Sequence, residues 1–278
     1  MPDIRPFRAL RFDATTIGDL AAVMAPAYTR IDAAEHERLL ARHPANVVRV
    51  DLPEERHGDE PDVRYRRAAR ALAEWRSGAI LHKDPHPSVY LYAQDRGPAG
   101  VDGSPLLRGF MARLRLEPVG LDAAVQPGSD EPVGDAEDRY KILRATGVNT
   151  SPVVAVYDDP SGGTTGRIAA LTASPPEINL VDESGIRHRI WGVAADGGGE
   201  MAAAVASLTA PASAGPVVIA AGRAIYDTAL RYRDERRMSR SCEEDPAFDY
   251  LLTLFIERSA QTPDATALTG LVLNPHEW

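Results

Sequence analysis

Cysteine is almost absent. Cys242 is the single one, so an internal disulfide and a cysteine-built zinc site are both excluded. Long apolar runs are missing too: residues 251–256 form one of the longest, far short of the ~18 that a membrane-crossing helix needs. The opening Met1-Pro2-Asp3-Ile4-Arg5-Pro6-Phe7 lacks the basic-then-apolar order of a secretory signal. Positive charge is not in excess. Lys+Arg 31 against Asp+Glu 40 leaves −9, a field that disfavours nonspecific nucleic-acid binding. These absences predict a cytoplasmic location with neither a membrane nor a nucleic-acid partner.

Several chemical signatures are missing as well. The seven histidines do not gather: His82 and His86 lie four apart, but Pro85 breaks the helix that would aim both at one metal. No metal site is expected. No Gly-x-Ser-x-Gly nucleophile turn is present. Gly162-Gly163-Thr164-Thr165-Gly166 precedes a short helix but has no lysine after it and is no P-loop; it and Gly197-Gly198-Gly199 both read as plain loops. The arginines at 231, 233, 236, 237 and 240 are diluted by Asp234, Glu235, Glu243, Glu244 and Asp245, the pattern of a solvated helix face.

What is present suffices for a substantial core: 278 residues, 44% hydrophobic and 26% charged, enough for one large domain or two modest ones. Asp32 with Glu35 starts a helix that runs to His43, before Pro44. Residues 46–52, rich in valine, read as a strand. Pro61 opens a second helix, with Tyr65, Ala68, Leu72 and Trp75 on one face and Gly78 at its end. Strands are expected at 89–94 and 110–116, a helix from Ala136, and a strand at 153–157. Residues 177–181 and 186–193 flank Asp182-Glu183-Ser184-Gly185 as a hairpin. A helix over 200–208 leads to a connector at 211–215, and the last strands are expected at 250–256 and 271–273. Between them, an apolar strand at 216–220, a turn at Gly222 and a helix over 223–238 follow one another. The fold class is α+β, a mixed sheet with flanking helices.

Several segments together resemble the bacterial and archaeal family called domain of unknown function 1015. They include Arg5-Pro6-Phe7-Arg8-Ala9-Leu10-Arg11, Ala25-Pro26-Ala27-Tyr28, Asn46-Val47-Val48-Arg49-Val50 and Arg108-Gly109-Phe110. Asp138-Arg139-Tyr140-Lys141-Ile142-Leu143-Arg144, Asn149-Thr150-Ser151-Pro152 and Tyr226-Asp227-Thr228-Ala229-Leu230-Arg231 continue the match in order. The resemblance implies an N-terminal α/β part over 1–120 and a second part over 121–278, which can form one continuous domain. It also implies a ParB/sulfiredoxin-like strand–glycine turn–helix near 216–238. In that superfamily such a turn holds nucleotide phosphates, for a reason general to helix N-termini: unpaired N–H groups and the positive dipole end.

The family's signature, Ala-Asp-Gly-His-His-Arg-Tyr-Glu-Thr-Ala, stands here as Ala220-Ala221-Gly222-Arg223-Ala224-Ile225-Tyr226-Asp227-Thr228-Ala229. Both histidines and the arginine are replaced. The family's Pro-His-Glu-x-Thr is Pro127-Gly128-Ser129-Asp130-Glu131, and its Pro-Pro-Tyr-Asp-Val is Pro26-Ala27-Tyr28-Thr29-Arg30. The chain ends at Asn274-Pro275-His276-Glu277-Trp278, where the family has Pro-Thr-His-Arg and a further part. The expectation is a diverged, non-catalytic member that binds a small phosphate-bearing ligand or a protein partner such as a full-length relative. The alternative is an ATP/ADP-dependent kinase of a small hydroxyl metabolite, and a nucleotide is the cofactor the resemblance allows. The ligand residues implied are Gly222, Arg223, Tyr226, Asp227, Tyr28, Pro127, Asp138, Arg139 and Asn149. An Arg223–Asp227–Arg231 surface ladder competes with anion binding for Arg223.

Overall fold

The computed structural model describes residues 1–96, 104–128, 136–239, 245–260 and 269–276; Cys242, Arg240, Glu243, Glu244, residues 129–131 and residues 277–278 lie outside them. The chain runs through β1 (Ile4–Arg5), β2 (Leu10–Phe12), α1 (Ala14–Ile17), α2 (Ala33–Arg42), α3 (Val48–Asp51) and α4 (Val63–Ser77). Next come β3 (Leu81–Lys83), β4 (Ser88–Arg96), β5 (Ser104–Arg115), β6 (Val125–Pro127), α5 (Ala136–Thr146), β7 (Val148–Asn149) and β8 (Val153–Tyr157). The remainder is α6 (Gly163–Leu171), β9 (Ile178–Val181), β10 (Ile186–Ala194), α7 (Gly199–Ala214), β11 (Val217–Ala221), α8 (Arg223–Ser239), β12 (Tyr250–Glu257) and β13 (Asn274–Pro275).

Nine strands form one mixed sheet in the order β6-β11-β8-β12-β5-β4-β10-β9, with β1 paired to β5 beyond the end of β4. β6–β11 and β8–β12 are parallel pairs; the others are antiparallel. Helices flank this sheet, so the architecture is α+β as its sequence implies. The two-residue side-chain period of a strand divides the core between the two faces. On β12, Leu252, Leu254 and Ile256 join the cluster that includes Val48, Val50, Leu72 and Trp75. Leu251 and Phe255 join the opposite cluster, with Tyr140, Leu208, Tyr226 and Tyr232. Phe255 stacks on Phe110 at 5.0 Å and both are fully buried, each worth roughly 1.5–3 kcal/mol by area.

Four segments differ from their sequence reading. The glycine run at 162–166, expected as a loop, is helical from Gly163, with only Gly162 left in the left-handed conformation at the helix start. Residues 46–52 are not a strand; α3 is one helical turn. Asn46 decides this: its Oδ1 accepts from the Val48 N–H at 3.0 Å, and its Nδ2 donates to Ala22 O and Met24 O. The valines then pack as core, and their strand preference is a packing preference that burial satisfies equally in a turn. The expected connector at 211–215 is helical almost to its end, because α7 runs through Pro211 to Ala214. Proline removes the N–H that would reach the Ser207 carbonyl, and Arg167 Nη1 of α6 donates to that carbonyl instead, at 2.9 Å. The strand expected at 271–273 falls later, at β13, and Leu273 makes only an isolated bridge to Leu10.

Candidate functional site

The apolar β11 enters α8 through Gly222, whose φ is +84°. A Cβ there would lie 3.1 Å from Val153 Cγ1, so this turn takes glycine for both its backbone and its close approach to β8. Tyr226 N–H donates to Gly222 O at 3.0 Å and closes the first turn of α8. Arg223 Nε donates to both carboxylate oxygens of Asp227 at 2.9 Å, on an exposed face. Tyr226 points into the core. Its hydroxyl donates to Glu117 O at 2.9 Å and accepts from Glu117 N–H at 3.0 Å, and burial pushes its pKa up to about 12.

Beside this turn lies a buried charge centre. Arg139 of α5 is 8% exposed; its Nη1 donates to Asp51 Oδ1 at 3.3 Å and its Nη2 to Asp138 Oδ2 at 2.9 Å. The guanidinium sits over the Tyr28 ring at 4.3 Å. Thr150 donates to Asp51, while Tyr65 and Arg64 hold Asp138 Oδ1 at 2.9 and 2.8 Å. A buried arginine is tolerated when carboxylates and a ring face surround it in this way. Asp51, Arg139, Asn149, Thr150, Ile225 and Thr228 line a cavity of about 40 Å³. That is room for a few waters and far below the ~300 Å³ of an ordinary small-molecule pocket. Asn149 is also committed: its Oδ1 accepts from Asn274 Nδ2 at 2.8 Å and from His276 Nε2 at 3.1 Å.

A larger cleft, of about 420 Å³, opens between α2 and the β9–β10 hairpin. Met24, Leu39 and Leu180 give it an apolar floor, and Arg38 and Arg42 bridge to Glu183 across its rim. His188 is buried in its wall, with Nδ1 2.7 Å from the Tyr92 hydroxyl and Nε2 3.0 Å from Asp182 Oδ2. Gln94 Nε2 donates to that hydroxyl at 2.7 Å. Burial acts to raise the Asp182 pKa, but the bonds from His188 and the Ile186 N–H outweigh it and hold the carboxyl below its ordinary value. Both imidazole nitrogens are engaged, so His188 has no free nitrogen with which to activate Ser184 on the same rim. Among the described residues no group of three His, Cys, Asp or Glu could hold a metal ion.

A family model described as protein of unknown function (DUF1015) matches residues 4–263. The chain belongs to this family. Neither a curated protein nor a solved structure matches it.

Within this DUF1015 member the residues singled out from sequence divide into two sets. Tyr28, Asp138, Arg139 and Asn149 do come together, around the Arg139 centre and its small cavity. Gly222 makes the turn, while Arg223 and Asp227 hold each other on the exposed face of α8 and Tyr226 is core. Pro127 lies in β6 opposite Ile219 of β11. Sequence reasoning missed Asp51, Thr150 and Thr228, and also Asn274 and His276 as partners of Asn149. Asp51 lay hidden in the segment read as a strand. Thr150 and Thr228 both lie within segments that match the family, and Thr150 directly follows Asn149, which were the available signals.

Proposed function

We propose that this DUF1015 member binds a small phosphate-bearing ligand and does not turn it over. The strand–glycine–helix segment is then a degenerate form of the ParB/sulfiredoxin-like phosphate turn, in a cytoplasmic protein. Binding is supported by the resemblance of the Gly222 turn to that phosphate turn, and one observation carries the absence of turnover: beside the turn Arg139 is buried between Asp51 and Asp138 at a cavity of about 40 Å³, too small for a nucleotide. Phosphoryl transfer needs room for the donor and a base near the acceptor hydroxyl. Ala224 and Ile225 supply neither acid nor base where the family has ionisable groups. The kinase alternative would have to use Arg139, Asp138, Arg144 and Asp227. The first two are bound to each other, Arg144 reaches Glu235 at 3.6 Å, and Asp227 is held by Arg223.

The test is direct. Protein is incubated with ATP or ADP, magnesium and serine, and phosphoserine is measured. No product is expected; turnover on the order of 1–10³ s⁻¹ would overturn the reading.

A further inference from the structure

A separate cavity, of about 290 Å³, has three cations among its lining residues. Arg8 follows the N-terminal segment, which bridges to Ser88 through Phe7; Lys83 ends β3; Arg113 lies on β5 opposite Arg5. Asn274 and His276 line the same cavity. Neighbouring arginines already hold the local carboxylates: Arg5 takes Asp3 and Asp245, Arg11 takes Asp84, and Arg237 takes Asp249. Arg8 and Arg113 form no ion pair among the described residues. The one hydrogen bond Arg8 makes there goes from Nε to Asp84 O at 2.6 Å, and Arg113 lies over the Tyr250 ring at 4.9 Å.

The gathered charge is felt by its members. Burial, with the positive charges of Arg8, Arg76 and Arg113, holds the Lys83 ammonium pKa below its ordinary value. Such a cluster in a chain of net charge −9 is relieved when an anion enters. Buried polar atoms of the lining residues supply a second, independent indication. Arg113 Nε, Asn274 Oδ1 and His276 Nδ1 have no hydrogen-bond partner, although Asn274 is 1% and His276 8% exposed. Asn274 Nδ2 and His276 Nε2 both face Asn149 Oδ1, an acceptor, so the opposite atoms, Asn274 Oδ1 and His276 Nδ1, are left as acceptors.

We propose that this cavity binds a small phosphomonoester bearing a hydroxyl group, its phosphate held by Arg8, Lys83 and Arg113 and its hydroxyl donating to Asn274 or His276. The proposal rests on the ligand-binding reading above and moves the phosphate away from the Gly222 turn. Guanidinium forks match phosphate oxygens, and the two acceptors distinguish a hydroxylated ester from bare phosphate.

Titration calorimetry at low salt uses three probes: glycerol phosphate, inorganic phosphate and glycerol. Glycerol phosphate is expected to bind more tightly than inorganic phosphate, and glycerol not to bind. Arg8→Gln and Lys83→Gln change side chains that are exposed and partly exposed, their folding is checked by thermal unfolding, and each is expected to weaken glycerol phosphate about tenfold or more. Arg70→Gln, on the exposed face of α4, corrects for the loss of one charge. At alkaline pH, binding is expected to take up protons in wild type and not in Lys83→Gln. Unchanged affinity in both cavity variants overturns the proposal. So does a loss confined to Arg223→Ala, or the absence of binding by either phosphate probe up to about 10 mM. The two readings are distinguishable: phosphoserine formation overturns the absence of turnover and leaves the cavity untouched, a loss confined to Arg223→Ala overturns the cavity and leaves phosphate binding standing, and absence of binding by both phosphate probes overturns both.

Discussion

At Gly222 a hydrogen in place of a side chain lets β11 turn into α8 against Val153. Gly222→Ala would force a positive φ on an L-residue and press its Cβ on β8. A loss of about 1–3 kcal/mol is expected, read from urea unfolding. Two arginines near this turn should respond in opposite ways. Arg139→Met leaves Asp51 as a buried carboxylate without its cation, and a loss of about 3–5 kcal/mol is expected. Arg223→Ala removes an exposed i,i+4 pair with Asp227 and should change stability by no more than about 0.5 kcal/mol. The same unfolding series checks both. From sequence both were implied ligand residues with an aspartate within reach, Asp138 next to Arg139 and Asp227 four residues after Arg223. Only burial separates them, and burial is set by α3 and Tyr28, far away in the chain.

Elements whose cues are local were legible. Asp32 caps α2 by accepting the Glu35 N–H at 2.8 Å, and the hairpin at 182–185 forms where its turn residues lie. α7 was half legible, because proline is a local stop signal and the group that neutralises it is not local. The Arg167 bond to Ser207 O stands in for the one Pro211 cannot make. Arg167→Ala should therefore cost about 0.5–1.5 kcal/mol in the native chain and clearly less in a Pro211→Ala background, where the backbone N–H restored by that substitution can reach the Ser207 carbonyl. A double-mutant cycle by chemical denaturation measures this coupling. Equal costs in both backgrounds would mean that Arg167 does not compensate for the proline.

Over the whole molecule, His276 ties the 274–276 segment to Asn149 and stacks on Tyr232 at 5.6 Å. Burial, together with Arg113 and Arg236, lowers its pKa to about 3. The unfolded chain takes up this proton near pH 6.5 and the folded chain does not, so stability falls as the pH drops from about 6.5 towards 3. The slope contributed is at most about 1.4 kcal/mol per pH unit. Asp159, held below its ordinary value by Ser161 and Thr164, adds an acid loss that sets in only as the pH falls through the unfolded carboxylate value of about 4. Unfolding free energies between pH 6.5 and 4.5 should therefore flatten in His276→Gln. The sequence by itself determined the α+β class, the period-two strands that divide the core, the glycine turn and the capped helices, since each follows from neighbours along the chain. Tertiary structure decided that residues 48–51 coil, that α7 passes through proline, and which arginines are paired. Those outcomes depend on groups as far apart as Asp51 and Arg139, 88 residues in sequence, whose energies exist only once the fold has removed water from between them.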